Sequence, residues 1–330
     1  MPVTIEQLQQ QMSAFDLSDR DEITLRGNDR STFLHGFCSN DIRKLQPGQG
    51  CEAFITSIKG RAAGHVFVFA DEDRLVLDTV PGAAETLVPH LDRYIITEDV
   101  ELEVTSQSRA LFLVAGEGIV EKLSLLCPTS SKLDVNGCCE FDLASTTGRL
   151  RRVDWLSVPA YQISIRAEAR GSFEEWRDAQ GIAAGTHREF EALRIDGTFP
   201  LHGTDFSEEN LAQEIDRTPQ AISFTKGCYL GQEPIARIDA LGHVNRILRS
   251  IQVIDLDATP DQLVGASIQD PSTDKSLGTI TSAVEIHTGD DGHRELRGMS
   301  IIRREFSDPD TPVHVVVDGK SLPATVLGKS

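Results

Sequence analysis

Residues 226–233 read Lys-Gly-Cys-Tyr-Leu-Gly-Gln-Glu (KGCYLGQE), an octapeptide that combines a cation, a thiol, two glycines and a carboxylate. Glycine lets the backbone turn tightly, and the Pro234 that follows is tolerated in the first turn of a helix. We therefore expect Cys228 to lie in a turn before a helix that begins near Gln232. The helix dipole and the Lys226 ammonium would then favour a Cys228 thiolate. The alternative is that Cys228 is a small buried hydrophobic residue, as lone cysteines most often are.

Other blocks of the chain accompany the octapeptide in a fixed order. They are LRGNDRSTFLHGFCSNDI at 25–42, ITSIKGRAAG at 55–64, LRIDGTFPLHGTDFSEENLAQEI at 193–215 and PIARIDALGHVNRIL at 234–248. Together these blocks resemble the YgfZ family, which are folate-binding proteins of iron–sulfur cluster biogenesis related to the glycine-cleavage T-protein, an aminomethyltransferase. The resemblance runs from residue 20 to the C-terminus.

Charge and hydropathy narrow the classes of partner. The 330 residues include 51 acidic and 32 basic side chains, for a net charge of −19. An acidic surface repels phosphate backbones and anionic lipids, so we expect neither general nucleic-acid binding nor membrane binding. The polar, acidic N-terminus resembles no signal or transit peptide, and no apolar run is long enough to span a bilayer, so we expect a cytoplasmic protein.

The six cysteines do not form a pattern typical of a disulfide framework or a zinc site. Cys138 and Cys139 are adjacent, an arrangement that seldom holds one metal ion, and no C-x-x-C pair is present. We therefore predict no metal site in this chain.

The order of predicted elements indicates an α+β protein with an additional C-terminal β-domain. Strands and covering helices alternate twice, which favours two α+β subdomains at 1–145 and 146–242. Short strands separated by turns then follow at regular spacing over 243–330, as in a small antiparallel barrel or sandwich. The resemblance implies that residues 1–242 form two ferredoxin-like, aminomethyltransferase-type subdomains that bind folate, and that the C-terminal domain is a β-barrel.

Tetrahydrofolate, the cofactor that the resemblance implies, offers three chemical handles. Its pterin edge presents N–H donors to a carboxylate, its aminobenzoyl ring needs an apolar wall, and its glutamate tail needs cations. The resemblance points to Glu214 for the pterin edge, with Asp205 as a second candidate, although either could be a solvated acid. The remaining predicted folate contacts are Lys59, Arg61, Tyr229, Gln232 and Arg237.

The resemblance favours an accessory role over a conventional enzyme. In the T-protein, an aspartate near the reacting nitrogen falls where this chain has Gly64 and His65, and an acid falls where this chain has Cys228. An electrostatic partner for a developing ammonium is therefore missing. We predict a tetrahydrofolate-binding factor for the synthesis or repair of iron–sulfur proteins, which would be its partners, with Cys228 as functional thiol. The alternatives are a folate-dependent one-carbon transferase with Cys228 as nucleophile, and a binding module that has lost folate.

Overall fold

The computed structural model describes residues 4–254, 258–289 and 293–328. Its helices in these ranges are short. They are α1 Ile5–Gln10, α2 Arg30–His35, α3 Ala84–Asp92, α4 Ile119–Leu126, α5 Arg170–Ala179, α6 His187–Asp196, α7 Thr218–Ala221, α8 Gln232–Leu241 and α9 Pro260–Leu263. None of these helices has the length and apolar composition required to cross a bilayer.

The strands of the described ranges form three sheets. They are β1 Ser13–Asp16, β2 Asp21–Arg26, β3 Gly50–Thr56, β4 Ala62–Ala70, β5 Leu75–Thr79, β6 Glu101–Val104, β7 Arg109–Ala115, β8 Cys138–Leu143, β9 Thr146–Val153, β10 Ala160–Arg166, β11 Ala183–Ala184, β12 Arg246–Val253, β13 Ser267–Gln269, β14 Ser276–Thr279, β15 Ser282–Thr288, β16 His293–Arg303, β17 Pro312–Val317 and β18 Lys320–Val326.

The first sheet has five antiparallel strands in the order β3-β4-β5-β2-β6. Apolar side chains on one face of these strands pack against α2 and α3, whose buried residues include Phe33, Leu34, Leu87 and Leu91. The Pro89 inside α3 does not prevent the helix from covering the sheet, because the buried leucines lie on either side of it.

The second sheet has six strands in the order β11-β1-β7-β10-β9-β8. Its core joins the strands to α4 and α5, through side chains such as Phe112, Ile119 and Phe173. The strands β8 and β9 form one hairpin of this sheet, so the predicted subdomain limit at 145/146 falls at the hairpin turn. The domain limits themselves remain a prediction.

The third sheet contains seven antiparallel strands in the order β14-β13-β17-β18-β12-β16-β15. The expected barrel is not closed, because β14 and β15 remain the two edges of this order. The reason lies in the link between them. Ile280 exchanges backbone hydrogen bonds with Gly265 and Ala266, and Thr281 donates its N–H to the carbonyl of Met299. The chain therefore moves from one side of the sheet to the other without pairing the edges.

A buried ion pair joins the third sheet to the rest of the protein. Arg194 on α6 and Asp205 are both fully buried, with Nη1 and Oδ2 2.7 Å apart. Asp205 Oδ1 accepts further hydrogen bonds from the hydroxyls of Thr281 and Ser282. The two oxygens of Asp205 thus hold α6 and β15 in a single arrangement.

Asp205→Ala should destabilise the protein by about 3 to 5 kcal/mol, because it breaks a buried ion pair and leaves the buried Arg194 with Glu191 as its remaining carboxylate. Arg188→Gln is a matched control, since Arg188 also joins α6 to β15 but its pair with Glu285 is largely exposed. The control should change the free energy of unfolding by less than about 1 kcal/mol. Urea denaturation measures both. Equal effects of the two substitutions would contradict the structural role of Asp205.

Candidate functional site

The signature octapeptide leads directly into α8, as its residues predict. The helix begins at Gln232, and Gly231 before it has φ +84°, a left-handed conformation that glycine adopts without strain. A Cβ at Gly231 would lie 2.3 Å from the carbonyl oxygen of Ser57 and 3.2 Å from Cα of Gly60. The start of α8 and the turn between β3 and β4 therefore pack backbone against backbone, which requires glycine.

Lys226 is anchored by the backbone carbonyls of the turn that follows α2. Its side chain is 6% exposed, and Nζ donates to the carbonyl oxygens of His35 at 2.6 Å, Cys38 at 2.7 Å and Asn40 at 2.8 Å. Burial lowers the pKa of Lys226. A buried ammonium needs acceptors, and the turn after α2 supplies three, so Lys226 is a structural anchor of the octapeptide.

Cys228 lies exposed on this anchored turn, so the alternative of a buried hydrophobic cysteine is wrong. On one side of it, the Lys226 ammonium lies 4.6 Å from the ring centroid of the buried Tyr229. This burial raises the pKa of Tyr229 to about 12. Leu230 is then fixed by two hydrogen bonds, to the Gly36 carbonyl and from the Thr56 hydroxyl. The thiol is thus presented to solvent by a turn whose neighbours are fixed.

A cavity of about 490 Å³ lies where the β3–β4 turn region meets the third sheet. We call it the central cavity. Its lining includes Arg61, Asp205, Asn210, Arg246 and Thr281. A larger outer cleft of about 1120 Å³ shares Arg246 with it. The lining of the central cavity also includes Glu209, so its two arginines are accompanied by hydroxyl, amide and carboxylate groups, which suits a polar ligand.

Glu214 stands directly behind the wall of the central cavity. It is 9% exposed, and its Oε2 accepts hydrogen bonds from Asn210 Nδ2 at 3.1 Å and from the backbone N–H of Leu211 at 3.2 Å. In the part of the chain that the structure describes, Oε1 receives no hydrogen bond. The carboxylate therefore retains acceptor capacity, although Asn210 separates part of it from the cavity.

The structure brings together only some of the predicted folate contacts. Arg61 and Asp205 line the central cavity, but Asp205 is occupied by the Arg194 ion pair. Lys59 is exposed in the β3–β4 turn and Arg237 is exposed on α8. The lining of the central cavity does not include the predicted contacts Lys59, Tyr229, Gln232 or Arg237.

The chain resembles proteins of known sequence and structure. Residues 4–218 match the profile of the GCVT N-terminal domain. The chain belongs to this family. It also superimposes on the crystal structure of the glycine cleavage system aminomethyltransferase T from Bartonella henselae with a TM-score of 0.83 at 16% identity, over 98% of this chain and 87% of that one. This likeness extends the shared GCVT-type fold through the third sheet.

Two relatives in sequence illustrate the range of the GCVT proteins. An aminomethyltransferase of a Nostoc species is 22% identical over 327 residues, which cover 95% of this chain and 82% of the relative. The tRNA-modifying protein YgfZ of Hamiltonella defensa is 23% identical over 280 residues, covering 83% of this chain and 79% of the relative.

The residue pattern did not reveal a buried charge cluster beside the central cavity of this GCVT fold. Glu52 on β3 accepts hydrogen bonds from His65 at 2.8 Å and from Arg217 at 2.7 Å, and Arg217 also pairs with Asp154. Burial opposes ionisation of Glu52, but Arg217 and His65 hold its pKa at about 2. The only sequence signal is an acid inside the apolar run Cys51–Thr56.

Arg246 is a second site residue that the sequence pattern does not indicate. It lines both the central cavity and the outer cleft. A basic residue at the start of a strand such as β12 carries no local signal of ligand contact. The cavity exists only because the third sheet approaches the β3–β4 turn.

Gly231→Ala should be much more disruptive than Gly242→Ala. Both glycines have nearly the same positive φ, but a Cβ at Gly242 meets nothing within 4 Å. Gly242→Ala should therefore cost only the strain of the left-handed conformation, about 1 to 2 kcal/mol. Gly231→Ala adds the clash with Ser57 and should lower the free energy of unfolding further and change the alkylation rate of Cys228. Equal effects would contradict the proposed close packing.

The Glu52 cluster predicts a loss of stability in acid. Because the folded pKa of about 2 lies below the ordinary 4.5, ionised Glu52 stabilises the protein above pH 4.5, and this contribution, about 3 kcal/mol, is lost as the pH falls towards 2. Glu52→Gln should destabilise the protein at neutral pH and flatten the pH dependence in this window. The exposed Glu305→Gln control should leave the pH profile of urea unfolding unchanged; a similar flattening would refute the assignment.

Proposed function

We propose that this GCVT-family chain is a tetrahydrofolate-binding accessory protein for the synthesis or repair of iron–sulfur proteins, with Cys228 as its functional thiol. The observation that carries the proposal is the presentation of an exposed Cys228 on a turn fixed through Lys226. A cysteine retained only for packing would be buried. The relative named YgfZ supports the choice of subfamily.

The central cavity supports the folate part of the proposal. Its volume, about 490 Å³, falls in the usual range for small-molecule pockets. Arg61 and Arg246 line it and can pair with the carboxylates of a glutamate tail. Glu214 can accept from the pterin edge through Oε1, with Asn210 as its neighbour.

The geometry at Gly64 and His65 argues against the chemistry of the aminomethyltransferases. A Cβ at Gly64 would lie 2.5 Å from a methyl carbon of Leu87, so the position cannot hold a carboxylate without rearrangement. His65 is buried and hydrogen-bonded to Glu52. Neither residue can act as an electrostatic partner for an amine that reacts in the cavity.

The runner-up function is a folate-dependent one-carbon transferase with Cys228 as nucleophile. It requires the same thiol and the same cofactor, and the exposure of Cys228 favours it as well. A turnover assay separates the two functions. Product formation that needs both tetrahydrofolate and Cys228 would establish the transferase.

The partners of the protein and its location in the cell are also part of the proposal. We propose iron–sulfur client or assembly proteins as partners and a cytoplasmic location. The net charge of −19 disfavours general binding to nucleic acids and anionic membranes. A local basic site is therefore needed for any anionic ligand.

Cys228→Ala should abolish the function while the fold persists, because the side chain is exposed. In cells that lack the natural copy, the variant should restore iron–sulfur enzyme activity no better than an empty vector. Cys51→Ala is the thiol control, since Cys51 lies within β3 and packs against the first core; it should restore activity. Full iron–sulfur enzyme activity with Cys228→Ala would show that the thiol is not required for the function.

A further inference from the structure

A third cavity lies between the first and second sheets, away from the signature turn. Its volume is about 340 Å³. Five arginines line it, from the β4–β5 connection and from β7, β9 and β10: Arg74, Arg109, Arg149, Arg151 and Arg166. We call it the arginine cleft. In a chain with 32 basic and 51 acidic residues, such a concentration of guanidinium groups is unexpected.

The carboxylates of the arginine cleft do not balance its arginines. Glu22 and Glu140 line it, and Asp71 beside it pairs with both Arg74 and Arg149. Asp78 lies 3.7 Å from Arg109 and also pairs with Arg20, and Glu168 lies 3.9 Å from Arg166. These five carboxylates thus face six guanidinium groups. Since arginine stays protonated in proteins, the cleft keeps an excess of positive charge.

The two innermost arginines share a single carboxylate oxygen at long range. Glu22 Oε2 lies 3.3 Å from Arg109 Nε and 3.4 Å from Arg151 Nη2, whereas charge-assisted hydrogen bonds are commonly about 2.7 to 2.9 Å long. Burial lowers the pKa of Arg109 although Glu22 and Asp78 lie beside it. The available carboxylates therefore compensate these buried charges incompletely.

Several N–H groups of this inner pair lack an acceptor. Arg109 is 6% exposed and Arg151 is 1% exposed. Among the described residues, Arg109 Nη1 and both Nε and Nη1 of Arg151 have no hydrogen-bond partner. A buried unsatisfied donor typically costs about 1 to 3 kcal/mol, and more when it is charged. An anion with several oxygen acceptors would satisfy these groups.

We propose that the arginine cleft is a second ligand site, one that binds a phosphate group, either as free phosphate or as part of a phosphomonoester. Guanidinium groups bind phosphate oxygens through paired, parallel hydrogen bonds. The exposure of the arginines rises from the inner pair through Arg149, 24%, to Arg166, 74%. This gradient leaves the outer arginines accessible to an entering anion, and the hydroxyl of Ser164 lines the same wall.

The shape of the cleft argues for a small ligand rather than a nucleic acid. Its volume accommodates one or two phosphate groups with a small substituent, and the net charge of −19 disfavours binding of a nucleic-acid backbone. The site is built by the β2, β5, β7, β8, β9 and β10 strands and the β4–β5 connection, and it shares no lining residue with the central cavity. It is therefore independent of the proposed folate function.

Calorimetry of the full chain with inorganic phosphate and with adenosine 5′-monophosphate tests the proposal. Millimolar or tighter binding of either probe is expected, and Arg149→Gln should weaken it about tenfold or more. Arg166→Gln should also weaken it and cannot disturb the core, because its side chain is 74% exposed. Arg188→Gln, an exposed arginine of α6, is the charge-matched control and should bind like the wild type.

The two probes distinguish the sources of the phosphate. Tighter binding of the nucleotide would indicate a phosphomonoester ligand, and equal binding would indicate free phosphate; both support the site. No binding of either probe by the folded wild-type protein would overturn the proposal. Equal weakening by Arg188→Gln would do so as well, because the effect would then reflect net charge alone.

Discussion

The burial of one ammonium group governs the candidate site. Lys226 reaches from the signature octapeptide to three carbonyl oxygens at residues 35–40, nearly the whole length of the GCVT region away in sequence. Because a buried cation without acceptors is strongly unfavourable, the octapeptide cannot leave the first sheet without losing these bonds. The contact between Gly60 and Gly231 fixes the same junction from the other side. The position of Cys228 follows from these two constraints.

Local chemistry was sufficient to predict the start of α8 and the strands of the third sheet. Glycine, proline and the alternation of apolar residues act over a few positions, so the sequence carries them directly. The partners of Lys226 and Asp205 could not be predicted in this way. The sequence suggested that Lys226 acts on Cys228 and that Asp205 contacts a ligand. In the structure Lys226 binds the carbonyls after α2, and Asp205 binds Arg194 and the hydroxyls of Thr281 and Ser282. A charged residue near a signature motif is equally compatible with a role in the site and with a structural contact inside the protein.

The remaining differences also come from long-range packing. The short strands at 243–330 indicated a barrel, but β14 and β15, which Ile280 and Thr281 join, pair with β13 and β16 and not with each other. The central cavity and the arginine cleft both form between sheets. Arginines thus line two junctions of an acidic chain, where an anion can meet them away from the repulsive surface.

The most direct test of the account is anaerobic calorimetry of tetrahydrofolate binding to the wild type, Glu214→Ala and Glu208→Ala. The account predicts micromolar-range binding to the wild type, on the order of −8 kcal/mol. Glu214→Ala should weaken it about tenfold or more by removing an acceptor for the pterin edge, while the exposed Glu208→Ala should not. Absence of tetrahydrofolate binding by the folded wild-type protein would contradict the account.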